Sequence, residues 1–320
     1  PSIGGFRNDL IIRGGAPKEV VYYLDGIEIP NINHFSTQGS AGGPVGMLNV
    51  SFISDVRLSS SAFGAQYNNP LSGVLQFTQR DVNPDGFAGN FRLSASEAAL
   101  TLETPLLVNK KNGEVKTDVL LSVRRSYLQF LFELIGLPIR PDYWDYQYKL
   151  NHKIDAYNSL SFVGLGSIDE FTVALPEDPT PDQQATFDQV PFINQNSNTV
   201  GVTWKRRFED QSGFMEVSLS NNSLWNTYSE YNDNASQTEL RFQNDALESE
   251  TKLRLAVNRF AEGWKWSHGL NLQRAFYENS TLNTLAAYQY NTSLDFLNYG
   301  LFAQGSKDFF TGSFGPFFWI

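Results

Sequence analysis

The sequence predicts a mostly β chain in two parts: a small mixed-sheet module over residues 1–85, then a long antiparallel strand array over 86–320 patterned as part of a transmembrane barrel. Three observations carry this. Asp25-Gly26 sits between runs of β formers in the first part. Polar–apolar alternation recurs in about ten segments from Phe87 on. The links between those segments sort by length, long at one end and mostly short at the other.

Composition sets the bounds. At 320 residues the chain holds one large domain or two ordinary ones. It has no cysteine, so a disulfide framework and a thiolate metal site are both excluded. A formal charge of −10 and a pI near 4.8 argue against nucleic acid, whose phosphates require clustered Lys and Arg. Aromatic residues make up 14 %, with 25 Phe and 14 Tyr, and barrel walls use such residues as interfacial girdles. The mean hydropathy of −0.32 fits a barrel, which places its membrane face in every second residue. There is no starting Met, signal peptide or basic leader, and Pro1 to Gly5 reads as the interior of a longer sequence. The most apolar stretch, 127–139, is interrupted by Gln129, Glu133, Gly136 and Pro138. It falls short of the ~20 apolar residues of a spanning helix.

In the first part, Leu10 to Arg13 predicts a short strand stopped by Gly14-Gly15. Val20 to Leu24 and Ile27 to Ile29 predict a hairpin turning at Asp25-Gly26, because a type I′ turn needs positive φ at both central residues. Pro30 ends the second strand, and Val56 to Leu58 and Val74 to Phe77 predict further short strands. Taken singly, other features are ordinary. Arg13-Gly14-Gly15 reads as a loop, and His34-Phe35 as an exposed loop in Ser- and Gly-rich surroundings. The run from Gly39 to Gly46 lacks the Lys-Ser/Thr of a phosphate loop.

In combination they are specific. Ile12-Arg13-Gly14-Gly15, Tyr23-Leu24-Asp25-Gly26-Ile27-Glu28-Ile29-Pro30-Asn31, Phe63-Gly64-Ala65-Gln66-Tyr67 and Leu71-Ser72-Gly73-Val74 resemble, in order and spacing, the plug domain of TonB-dependent outer-membrane receptors. The resemblance covers the C-terminal part of a plug, residues 3–80. The N-terminal plug segment and TonB box have no counterpart. It implies an outer-membrane receptor of a Gram-negative bacterium that imports an external ligand through a plugged barrel, driven by TonB, without a cofactor. Arg13, Gly14, Gly15, Asp25, Gly26, Gly73 and Arg80 are then plug-motif residues with structural or gating roles. Arg13, and with it Arg80, is expected to face carboxylates on the inner wall. Glu103 is the candidate partner, since Leu100 and Leu102 would face lipid and Thr101 and Glu103 the lumen.

The second part predicts strands near 88–96, 99–108, 117–131, 143–154, 158–172, 197–208, 213–229, 248–260, 264–280 and 294–306, with an eleventh beginning near Thr311. Phe91, Leu93, Val200, Val202, Leu253 and Leu255 should point outward, and Arg92, Thr203, Lys252 and Arg254 inward. If the first strand rises from the periplasm, links 132–142, 173–196, 230–247 and 281–293 lie at the top, and 109–116, 155–157, 209–212 and 261–263 at the bottom. Membrane barrels show that asymmetry. Plugged transporters have about 22 strands, so this array reads as the first half of a wall and the chain as an internal fragment.

Chemistry is sparse. The acidic residues between Asp169 and Asp188 are spaced by prolines and read as a solvated external loop rather than a cation site. Tyr143 to Tyr148 alternates aromatic and polar residues, as an interfacial girdle does. His34, His152 and His268 stand apart without a nucleophile motif, so no enzyme is expected. Two readings result. One is a receptor with TonB as partner, a small-molecule, oligosaccharide or peptide ligand, and a possible surface lipoprotein. The other is a soluble β-rich ligand-binding or adhesion module, which would be monodisperse without detergent.

Overall fold

The computed structural model describes residues 2–3, 8, 10–36, 43–67, 70–175, 178–307 and 317–319. Strands β1 (Ser2–Ile3) and β2 (Leu10–Ile11) form one antiparallel pair. Strands β3 (Val20–Leu24), β4 (Ile27–Ile29), β7 (Ile53–Ser59) and β8 (Gly73–Gln79) form a four-stranded sheet in the order β4-β3-β8-β7. Within it β3 runs parallel to β8. The short pair β5 (Asn33–His34) and β6 (Val45–Gly46) stands apart from this sheet. The hairpin turns where the sequence predicts it: Asp25 has φ 47° and Gly26 φ 83°, both in the left-handed region that the turn demands. Ile12, Val20, Tyr22, Leu24, Ile27, Ile29, Met47 and Leu75 pack into one apolar core, and Val163 and Leu165 join it from the second part.

The wall is a sequential antiparallel sheet. Its strands are β9 (Ala88–Leu93), β10 (Glu97–Val108), β11 (Val115–Ser126), β12 (Ile139–Lys153), β13 (Asn158–Val173), β14 (Phe192–Arg207), β15 (Gly213–Asp233), β16 (Thr238–Ala261), β17 (Trp264–Asn283), β18 (Tyr288–Lys307) and β19 (Phe317–Trp319). Each pairs with its sequence neighbours, as short links require, and among the described residues β9 and β19 are the two ends. The start expected for the eleventh strand, near Thr311, lies outside the described residues, as do residues 39–42 of the glycine-rich run.

Three expectations are corrected. The upper links 230–247 and 281–293 are tight turns at 234–237 and 284–287, because β15 to β18 continue for 20 to 24 residues. Crossing a bilayer core takes about 9–11 residues. These strands are about twice that length, and their upper halves carry polar residues on both faces, where alternation of polarity gives no signal. Residues 128–131 are not strand: α1 (Leu128–Leu134) caps the β11–β12 link. A second helix, α2 (Pro181–Gln189), lies in the acidic link. No helix among the described residues is long and apolar enough to cross a membrane.

The two faces separate by residue parity. Phe91 and Leu93 are exposed on the outward face, and Val200, Leu219, Leu253, Leu272 and Leu301 continue the apolar band. Trp264 and Trp266 stack at its lower edge, 4.9 Å between ring centroids. Above the band, Arg274 pairs with Asp295 at 2.7 Å. The Tyr143 to Tyr148 cluster divides between faces. Tyr146 and Tyr148 stack outside over Gly166 and Gly164, while Tyr143 is buried inside. The inward face is largely polar, with buried apolar residues such as Ala99, Leu120, Tyr143, Val163, Leu165 and Leu224 interspersed.

Candidate functional site

The first module docks on the inward face through its hairpin. Ile27 lies against Gly201 of β14, where a Cβ would come within 2.7 Å of Ile27 Cδ1. Around this apolar contact the interface is charged. Lys252 reaches Glu28 and Glu250, both at 2.6 Å, and Asn222 donates to the Glu28 carbonyl. Arg254 lies over the Tyr23 ring at 5.7 Å. Burial, the largest cause, and the neighbouring Glu28 carboxylate push the Tyr23 hydroxyl far above the usual phenol range. Asp25 accepts from the Gln79 backbone and side chain at 2.9 and 3.0 Å and pairs with Lys149 at 3.3 Å. Gln147 donates to Gln79 Oε1, and Asn49 donates to Ser122 and Gln147.

Glu103 faces inward, as its parity predicts, and meets Arg80 in a two-pronged pair at 2.7 and 2.9 Å. The backbone N–H of Asn83 also donates to it. Arg13 is corrected. It lies exposed in a left-handed turn with φ 54°, followed by Gly14 at φ 79°, and its guanidinium donates to the Ser60 carbonyl within its own module. That turn directs the side chain along the module surface, and among the described residues it pairs with no carboxylate on the wall. Gly15 and Gly73 serve close packing: a Cβ at Gly73 would strike Ile12, and one at Gly15 would strike Ser72.

His34 departs furthest from expectation, being fully buried rather than exposed. Its Nδ1 lies 2.7 Å from Asp169 of β13 and its Nε2 3.0 Å from Asp145 of β12. Its ring stacks on Tyr143 at 3.9 Å. Asp169 also accepts from the Phe35 N–H and from Ser167, so it is a wall residue and not part of a solvated loop. Arg124 of β11 grips Asp145 and extends to Glu97 and the Gly46 carbonyl. Tyr143 donates to Glu97, and Arg92 closes the row at 2.6 Å. Burial alone would lower the His34 imidazole, but the bonds to Asp145 and Asp169 outweigh it and the net shift is upward. One signal could have found these residues: Glu97, Arg124, Asp145, Lys149, Asp169 and Lys252 all occupy inward positions, and a charge held there must be paired.

Above this cluster opens a chamber of about 680 Å³. Phe35 contributes to its floor and Gln195, Asn226, Tyr228, Phe242 and Asn244 to its wall. Tyr228 and Phe242 meet edge to face at 5.8 Å. The register slips between Glu230 and Tyr231, so that Arg241 is the extra residue of a bulge and turns to pair with Glu230 at 2.6 Å. The chamber thus presents amides and aromatic rings, with its two charges neutralising each other.

No protein-family model matches the sequence, and no curated protein matches it. Solved structures do match. The copper transporter OprC aligns with a TM-score of 0.63 at 10 % identity, over 93 % of this chain and 45 % of its own. A mutant of the ferric enterobactin receptor PfeA from Pseudomonas aeruginosa aligns at 0.62 and 12 % identity, over 94 % and 49 %. The alcaligin receptor FauA from Bordetella pertussis aligns at 0.53 and 12 %, over 91 % and 52 %. The chain spans about half the length of the structures it matches. A plug-like module docked on the inward face of a sequential antiparallel wall, together with these alignments, gives this chain the fold of the TonB-dependent outer-membrane receptors.

Proposed function

We propose that the protein is an outer-membrane receptor that binds an external ligand in the chamber above its plug and imports it by TonB-driven displacement of that plug. The observation that carries this reading is the plug–wall interface. Ion pairs and amide hydrogen bonds surround its apolar contacts at Ile27 and Phe35, which suits an element that must be held yet released. The outward apolar band supports an outer-membrane location. The chamber's amides and rings suit a neutral polar ligand such as an oligosaccharide or a peptide better than a polyanion, which would call for unpaired Arg and Lys.

The test has two arms. The protein should enter the outer-membrane fraction and require detergent for dispersal. Calorimetric titration with a panel of neutral oligosaccharides, peptides and anionic ferric chelates should give saturable binding that Tyr228→Ala abolishes. Monodisperse behaviour in plain buffer would replace this reading with that of a soluble binding module. Binding restricted to anionic chelates would keep the receptor and refute the ligand class.

A further inference from the structure

We propose that His34 is a proton-dependent latch that pins the plug's apical loop, and with it the floor of the chamber, to the wall. Each nitrogen of the His34 ring lies within hydrogen-bond distance of a different carboxylate, Asp169 at 2.7 Å and Asp145 at 3.0 Å. A neutral imidazole has one N–H, so either tautomer would set a lone pair against a carboxylate oxygen. Only the imidazolium satisfies both partners, and full burial leaves no water to mediate.

The surrounding charges require the same proton. Asp145 and Tyr143 face the ring from β12 and Asp169 from β13. Arg124 of β11 and Glu97 of β10 complete the enclosure behind Asp145 and Tyr143. Glu97, Asp145 and Asp169 are balanced by Arg124, by Arg92 at the exposed edge, and by the His34 proton. Loss of that proton leaves a buried excess negative charge between plug and wall, where the remaining ties are the Phe35 N–H to Asp169, the Ser36 carbonyl to Gln195, the Gly46 carbonyl to Arg124 and the Phe35 ring against Tyr143 and Phe171.

His34 is wired directly to the chamber. Phe35, the next residue, lines the floor, holds a left-handed φ of 53° and has its N–H fixed by Asp169. Ser36 is anchored through its carbonyl to Gln195, another chamber residue. Release of His34 removes the bonds that hold Phe35 in this conformation. Because the folded-state pKa is raised, the latch is fully closed below the ordinary value of 6.5 and opens as pH rises through the raised value.

The test is amide hydrogen exchange of residues 31–36 in the detergent-solubilised protein between pH 6 and 10, corrected for intrinsic rates. Protection of the Phe35 N–H should fall more than tenfold on the alkaline side. Asp169→Asn should move the midpoint to lower pH, and His34→Gln should make protection low and pH-independent. NMR of 13Cε1-labelled histidine should show a protonated His34 ring at pH 6.5. A flat wild-type profile, an unmoved midpoint in Asp169→Asn, or a neutral ring at pH 6.5 overturns the latch. Should a variant fail to fold, the wild-type profile and the ring shift decide alone. Neither readout depends on ligand or TonB, so failure here is distinct from failure of the receptor reading.

Discussion

Gly201→Ala tests how the plug is seated. Gly201 lies on the inward face of β14, and an added Cβ would stand 2.7, 2.8 and 3.0 Å from Ile27 Cδ1, Cγ1 and Cγ2. Three carbons of one side chain are struck together, so no rotation of the Ile27 tip relieves the clash and the hairpin must lift. Overpacking of this kind costs about 1–3 kcal/mol. Ile27→Ala at the same contact removes a buried side chain and costs about 2–5 kcal/mol. The two are not additive: with Ile27 shortened, the Gly201 methyl fills vacated space, and the double variant should recover about 0.5–3 kcal/mol of the summed cost. Gly300→Ala is the control, since a Cβ there meets nothing within 4 Å and should change little. The measurement is exchange protection of residues 20–29 in detergent, converted to local opening free energies. Strict additivity of Gly201→Ala and Ile27→Ala would refute direct seating of the hairpin on β14.

Other perturbations separate parts of the interface. Glu103→Gln should weaken plug docking by about 1 kcal/mol, the modest value of a two-pronged pair whose Arg80 is one-third exposed, whereas Arg13→Ala should stay within about 0.5 kcal/mol; urea titration of plug protection reads both. Asp145→Asn leaves Arg124 and His34 buried without their shared anion and should cost about 3–5 kcal/mol in the same assay. On the outer face, Gly164→Ala meets the Tyr148 ring and should lower wall stability in detergent by about 1–3 kcal/mol, with Tyr148→Ala restoring much of the loss.

The wall was legible because a sheet with one apolar and one polar face writes its period directly into the chain. Val200 and Val202 against Gly201 and Thr203, or Leu253 and Leu255 against Lys252 and Arg254, state both the strand and its orientation. The hairpin was legible for a local reason as well, since Asp25-Gly26 needs only its own two φ angles. Strand ends were not legible where both faces are wetted, so β16 begins at Thr238 and not near 248. The His34 cluster was hidden for a different reason. Its partners lie 111 and 135 residues away, and only the curvature of the wall round the plug brings them together. The local context of His34, rich in Ser and Gly downstream, describes the loop that carries it and says nothing of the cavity that receives it.

The distribution of contacts across the interface bears on how such a plug can leave. A hydrogen bond exchanged for water changes stability by only about 0.5–1.5 kcal/mol, because the freed groups are solvated at once. Buried apolar area has no such compensation and resists separation in proportion to its extent. Here the apolar contact between plug and wall gathers in two places, around Ile27, Gly201, Val163 and Leu165 and where Phe35 packs on Tyr143 and Phe171, while Glu28, Asp25, Gln79, Asn49, Arg80 and His34 all meet polar or charged partners. Glu28, Asp25 and Arg80 are half-buried, and Gln79 and Asn49, though buried, hold neutral amide hydrogen bonds; incoming water can satisfy each of these five singly. His34 is the exception: it is enclosed between two carboxylates and opens only when its proton or the whole loop departs. A pulling force applied to the module would therefore meet a series of small, separable barriers and one large one near the chamber floor, which would make residues 31–36 the step on which the proposed release depends.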